Sequence, residues 1–184
     1  MRKRLNGSGF ELGVVYGQRR IGKTSLILEA VKGFRHLYFL SREDSYQNNL
    51  AYFSREYRAF TKLPFVPAFD SFDELFDAAI ESAGNEKLAL VIDELPFLAK
   101  AYPGIVSYLQ GLADRLKREG KDIKLILSGS DMSFMIDLLE DRGKPLYQRS
   151  TFKIHVGPMV FSDAIRMLDG VSGLEKAKYL SIFG

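Results

Sequence analysis

Gly17-Gln18-Arg19-Arg20-Ile21-Gly22-Lys23-Thr24 reads G-x-x-x-x-G-K-T, and the residues on either side of it decide the fold. Before it, Glu11-Leu-Gly-Val-Val-Tyr16 reads as a short buried strand. After it, positions 24–31 carry apolar residues at 26, 27, 30 and 31, one face of a helix closed by Gly33. Strand, glycine-rich turn and helix start coincide, so backbone N–H groups converge on phosphate oxygens while the helix dipole favours the anion. In such a loop Gly17, Gln18, Arg19, Arg20, Ile21, Gly22, Lys23, Thr24 and Ser25 cradle a nucleotide's phosphates. Lys23 reaches the β- and γ-phosphates, and the Thr24 hydroxyl binds Mg²⁺. Arg19 and Arg20 either flank those phosphates or face solvent.

Composition narrows the classes. A chain of 184 residues is one domain by the usual prior. It has no cysteine, which excludes disulfides, Cys-ligated zinc and thiol catalysis and fits a reducing, cytoplasmic setting. Met1-Arg-Lys-Arg4 starts like a signal peptide, but Asn6, Gly7, Ser8 and Gly9 interrupt it at once. No run approaches the ~20 apolar residues of a membrane helix, so no membrane partner is expected. A net charge of +3 is too mild to argue for nucleic-acid binding by itself. The densest basic stretch, Arg115 to Lys121, reads as a solvated helix end before Gly120 rather than a DNA-binding patch.

Strand and helix signals alternate along the chain, the pattern of an α/β domain with a mainly parallel sheet. His36-Leu-Tyr-Phe-Leu40 reads as a second strand, and residues 44–60 as a helix that ends before Pro64 and Pro67. Ser71-Phe-Asp-Glu74 is a capping box opening a helix with apolar positions at 72, 75, 76, 79, 80 and 83, stopped by Gly84. Leu88-Ala-Leu-Val-Ile92 is continuously apolar, a central strand buried on both faces. One helix follows, with Ile105, Leu109, Leu112 and Leu116 on one face. Ile123 to Ser128 is the next strand, and Ser130 or Asp131 caps the helix after it. Phe152-Lys-Ile-His-Val156 alternates apolar and polar, as an edge strand does. Ser162 and Ser172 are candidate caps of two short helices.

A phosphate loop needs a complement at the carboxyl end of another strand, where ligands of open α/β sheets sit. Leu88-Ala-Leu-Val-Ile-Asp-Glu94 supplies it. Asp93 would hold the metal through Thr24 and water, and Glu94 would polarise the attacking water as general base. After the next strand, Ser128 or Ser130 would hydrogen-bond the γ-phosphate or the water; the alternative for Ser130 is the helix cap. Arg149 would neutralise charge on the transferred phosphoryl group, in its own site or across a subunit interface; the alternative is a surface arginine before a strand. His36 and His155 lie on separate strands without ligand spacing, so no metal is assigned to them.

Tyr16 to Thr24, Val91-Ile-Asp-Glu94, Leu127-Ser-Gly-Ser130, Pro145-Leu-Tyr-Gln-Arg149 and Gly157-Pro-Met-Val-Phe161 fall in an order that resembles the archaeal-type P-loop ATPases, relatives of the AAA+ and STAND proteins. The resemblance implies a three-layer α/β P-loop NTPase fold with sheet order 5-1-4-3-2. It also implies ATP and Mg²⁺ as ligands, Glu94 as base, Ser130 in the sensor segment and Arg149 as a γ-phosphate arginine. Gln18 stands where the family often has Arg, and Gln148 where Gly is usual.

On this resemblance residues 1–157 form the ATPase core, and 158–184 begin a helical lid that is read as truncated, with a Gly-Arg-Glu segment expected upstream. The implied function is a switch: Mg²⁺-dependent ATP binding and hydrolysis that rearranges or assembles further domains. The partners would be a homo-oligomer, or DNA or protein bound through a downstream domain. The alternative is a nucleotide-dependent interaction module with negligible hydrolysis. No Asn-Lys-x-Asp stretch is present to read guanine.

Overall fold

Five strands pair side by side, every neighbouring pair parallel: β1 (Glu11–Tyr16), β2 (His36–Leu40), β3 (Leu88–Asp93), β4 (Ile123–Gly129) and β5 (Phe152–His155). The order β2-β3-β4-β1-β5 is the expected 5-1-4-3-2 read from the other side, and the sheet is parallel throughout. The computed structural model describes residues 1–63, 68–141, 143, 146–158 and 172–173. Ser162 and most of the two short helices expected near the C-terminal end lie outside them, as do Pro64, Pro67 and Pro145. Ser172 is exposed.

The seven described helices are α1 (Arg2–Asn6), α2 (Lys23–Val31), α3 (Tyr46–Thr61), α4 (Phe72–Ala83), α5 (Leu95–Ala101), α6 (Ile105–Arg118) and α7 (Met132–Glu140). All six apolar positions foreseen on α4 are buried, and its Ser71 hydroxyl accepts from the Glu74 N–H as a capping box requires. Three expectations need correction. The single helix after β3 is two: α5 stops at Ala101, Pro103 and Gly104 intervene, and α6 starts afresh. The first residues, read only as a basic start, form α1 and bury Leu5. Leu26 is 39% exposed, and Lys23 takes its place among the buried residues of α2.

Alternation along the strands sorts the two faces. Leu88, Leu90 and Ile92 of β3, and Ile123, Leu125 and Leu127 of β4, enter a large core with α3 to α7. Ala89, Val91 and Ile126 enter a smaller core with Leu5 of α1 and Ile27, Ala30 and Val31 of α2. Both faces are covered, so β3 and β4 are buried along their whole length. β4 occupies the middle, and β3 is the inner strand next to it. β5 alternates half-buried and exposed, as an edge strand does.

Parallel strands give the sheet two chemically different edges. Val156 N–H donates to the Tyr16 carbonyl at the carboxyl edge, where the loop begins, and Thr151 N–H donates to Leu12 O at the amino edge. The Gly17–Thr24 loop, Asp93, Glu94 and Ser130 all follow strand ends at the carboxyl edge. Arg149 precedes β5 and stands at the amino edge.

Candidate functional site

The loop is shaped by two glycines. A Cβ on Gly17 would collide with the Val156 carbonyl, so only glycine lets β5 and the loop approach this closely. Gly22, at φ 95°, turns the chain into α2 in a conformation that side chains disfavour. Lys23 is 5% exposed, and its ammonium donates to Gly17 O and Gln18 O, both at 3.0 Å. The cation thus lies back across its own loop, with Glu94 Oε1 at 3.9 Å. Ile21 is half-buried, its side chain near the Gly17 backbone.

Asp93 is a fully buried carboxyl group, and hydrogen bonds satisfy it there. Thr24 Oγ1 donates to Oδ2 at 2.7 Å, the Tyr38 phenol donates to the same oxygen at 2.6 Å, and the Glu94 N–H donates to Oδ1 at 3.0 Å. Burial, and then the Asp93 carboxylate, push the Tyr38 phenol well above its usual range, so it serves as a donor and stays protonated. Ile92 pairs with Leu127, so the next residues, Asp93 at the end of β3 and Ser128 one short of the end of β4, share a face. Ser128 Oγ is buried and has no hydrogen-bond partner among the described residues.

Glu94 turns away from Asp93 by adopting a left-handed backbone, φ 53° and ψ 47°. Such a conformation costs a non-glycine residue about 1–3 kcal/mol and persists where neighbours over-determine it. Here Ser130 does so: its N–H and its hydroxyl both donate to Glu94 Oε2, at 3.0 and 2.8 Å. Asp131, not Ser130, caps α7, accepting from the Phe134 N–H. That resolves the alternatives for the cap.

A cleft of about 730 Å³ opens over the loop, lined by Arg19, Arg20, Gly22, Lys23, Thr24, Ser25, Glu94 and Phe97. A second of about 490 Å³ shares Arg19, Glu94 and Phe97 with it and continues to Ser130, Asp131 and Phe134. Arg19 and Arg20 are exposed and still line the cleft, and the Arg19 guanidinium lies 5.5 Å over the Phe97 ring. Gln18 contributes its carbonyl to Lys23.

The carboxyl edge therefore unites loop, Asp93, Glu94 and Ser130. It does not include Arg149, whose Nε and Nη2 fork onto Asp114 of α6 at 3.0–3.2 Å. Tyr38 and Phe97 were not foreseen as site residues. Tyr38 reads simply as a strand residue, and Phe97 lies on the helix that was not separated from α6.

The donor set fits a hard divalent cation. The Thr24 hydroxyl and Asp93 carboxylate offer oxygen only, and among the described residues no cluster of three or more His, Cys, Asp or Glu could hold a metal unaided. A cation here would complete its shell with water and phosphate oxygens, the habit of Mg²⁺. Among the described residues no helix is long and apolar enough to cross a membrane.

Comparison with known proteins agrees with this geometry. An uncharacterized protein of Methanocaldococcus jannaschii is 32% identical over 161 residues, 88% of this chain and 34% of that protein. A Walker-type ATPase of Pyrococcus abyssi superimposes with a TM-score of 0.68 at 19% identity, covering 91% of this chain and 55% of that one. The ORC2 protein of Aeropyrum pernix, solved as ADPNP–ADP complexes, gives 0.59 at 19% identity over 90% of this chain and 46% of its own. The chain thus spans about a third of the curated relative and about half of each solved chain. The structural likenesses establish the fold, that of the P-loop ATPases. The model of the ATPase domain found predominantly in Archaea matches residues 1–179, and the chain belongs to that family.

Proposed function

We propose that this domain binds ATP with Mg²⁺ and hydrolyses it, as the switch of a longer protein. The observation that carries the reading is the Thr24–Asp93 hydrogen bond at 2.7 Å, with Glu94 one residue on and facing the same cleft. A loop hydroxyl joined to a buried strand-end carboxylate is a metal-side arrangement, and the neighbouring carboxylate serves water.

Gly17 to Ser25 wrap the phosphates with backbone N–H groups, and Lys23 turns its ammonium from Gly17 O and Gln18 O to the β- and γ-phosphates. Thr24 and Asp93 would hold Mg²⁺, which would supply neutralisation of the phosphates' negative charge. Glu94 takes a proton from water as its oxygen bonds the γ-phosphorus. The bond from that phosphorus to the β–γ bridging oxygen breaks, leaving ADP and phosphate. Ser130 aims Glu94 through the two hydrogen bonds to Oε2, and Ser128 Oγ is free to meet a phosphate oxygen or the water.

Arg149 acts on the nucleotide of a neighbouring copy in a homo-oligomer and not on its own. Strand direction supports this, since the residue stands at the amino edge. Residues 1–157 are the catalytic core, in a cytoplasmic protein; the lid expected over 158–184 lies almost wholly outside the described residues.

Phosphate release from ATP tests the reading. The protein turns over above a Lys23→Ala control, only with Mg²⁺. Equal release by the two would leave a nucleotide-dependent module acting on DNA or protein partners, with negligible hydrolysis, and would remove the ATPase.

A further inference from the structure

β2 sends alternate residues to opposite faces: Leu37 and Phe39 enter the large core, while Tyr38 packs against the smaller one beside α1 and α2. Leu40 pairs with Asp93, so Tyr38 lies two residues short of the strand end that carries the carboxylate. The length of a tyrosine spans that gap. Its hydroxyl arrives at Asp93 Oδ2 at 2.6 Å, beside the Thr24 hydroxyl at 2.7 Å on the same oxygen.

Three donors from three separate elements therefore converge on one fully buried carboxylate: α2 through Thr24, the β3–α5 turn through the Glu94 N–H, and β2 through Tyr38. Thr24 can offer its oxygen lone pairs to a cation while its own O–H stays directed at Asp93 Oδ2. The Glu94 N–H belongs to the next residue and fixes only the near side. Backbone pairing with Leu40 holds the Asp93 main chain, but among the described residues Tyr38 alone ties the Asp93 side chain to β2, and so sets the torsion of its carboxylate.

We propose that Tyr38 is a positioning residue for the metal side of the site, holding Asp93 in the orientation that takes Mg²⁺ with the nucleotide. The inference rests on the Mg²⁺–ATP reading above. Hydrogen-bond partners of metal-binding carboxylates contribute about 10- to 100-fold to metal affinity when they orient the ligand. A tyrosine that merely fills space would contribute through its ring, which Phe preserves.

The experiment titrates Mg²⁺ into the protein with a non-hydrolysable ATP analogue present, reading nucleotide binding by calorimetry. Tyr38→Phe raises the Mg²⁺ concentration for half-maximal binding about 10-fold and leaves the affinity measured in EDTA unchanged. Tyr57→Phe is the matched control: its hydroxyl donates to Ala78 O, and its loss leaves the Mg²⁺ midpoint where it was. A Tyr38→Phe midpoint equal to wild type overturns the inference and spares the reading of the site. Equal shifts in both variants overturn it too, because they report loosened packing. Wild-type binding that ignores Mg²⁺ removes the metal reading and this inference with it.

Discussion

The two edges of one sheet treat charge in opposite ways. At the amino edge the cations are matched within the chain: buried Lys124 reaches Gly9 O and Asp122, Lys87 lies 3.9 Å from Asp122, and Arg149 forks onto Asp114, although Glu11 Oε2 and Ser150 Oγ there have no hydrogen-bond partner among the described residues. At the carboxyl edge the bonds are provisional. Lys23 lies on carbonyls of its own loop, Ser128 Oγ has no partner among the described residues, and Glu94 holds a costly backbone conformation. Groups satisfied by their own scaffold contribute to stability, whereas groups held only by such bonds beside an open cleft can exchange them for a ligand's. Substitutions at the two edges should therefore separate stability from activity.

The largest effect falls at the carboxyl edge. Glu94→Gln keeps nucleotide affinity within about threefold while steady-state turnover falls by about 10²–10⁴, the usual contribution of a general base. Unchanged turnover would break the contrast, because Glu94 would then be a strained residue without chemical reason. Next comes Lys124→Met at the amino edge. Asp122 stays partly exposed with Lys87 nearby, so the cost is nearer an unsatisfied hydrogen bond than a broken buried ion pair, about 1–3 kcal/mol. Thermal unfolding should drop by about 2–4 °C per kcal/mol, with nucleotide affinity unmoved.

Ser130→Ala removes one of two donors to Glu94 and leaves the N–H in place. Turnover should fall about fivefold, the equivalent of one hydrogen bond of about 1 kcal/mol, with stability within about 1 kcal/mol of wild type. The smallest effect is that of Arg149→Ala on the isolated chain. Its ion pair with Asp114 is a third to a half exposed, so chemical denaturation should register about 1 kcal/mol or less. Nucleotide affinity of the monomer stays the same; a loss would bring Arg149 into its own site and erase the division between edges.

Much of this was legible in the sequence, for reasons tied to particular residues. Strands buried on both faces appear as apolar runs, so Leu88 to Ile92 needed no context, and the motif of Gly17 to Thr24 fixed the first strand, turn and helix together. α1 was not legible because five residues with a single buried leucine carry no periodicity. Pro103 did signal the break between α5 and α6, but helical spacing around Leu109 masked it. The position of Arg149 could have been deduced: in a parallel sheet, a residue before a strand stands opposite the residues after its neighbours. Tyr38 could not, since its contact with Asp93 exists only once β2 is known to lie beside β3.

The central claim is that the carboxyl edge holds a metal-bound nucleotide. Calorimetric titration of this chain and of Lys23→Ala with a non-hydrolysable ATP analogue, with Mg²⁺ and then with EDTA, tests it most directly. The wild-type chain should bind the analogue more tightly with Mg²⁺, and Lys23→Ala should lose about 100-fold in affinity, the equivalent of about 2.7 kcal/mol. Equal affinity in the two proteins, or binding indifferent to Mg²⁺, would contradict it.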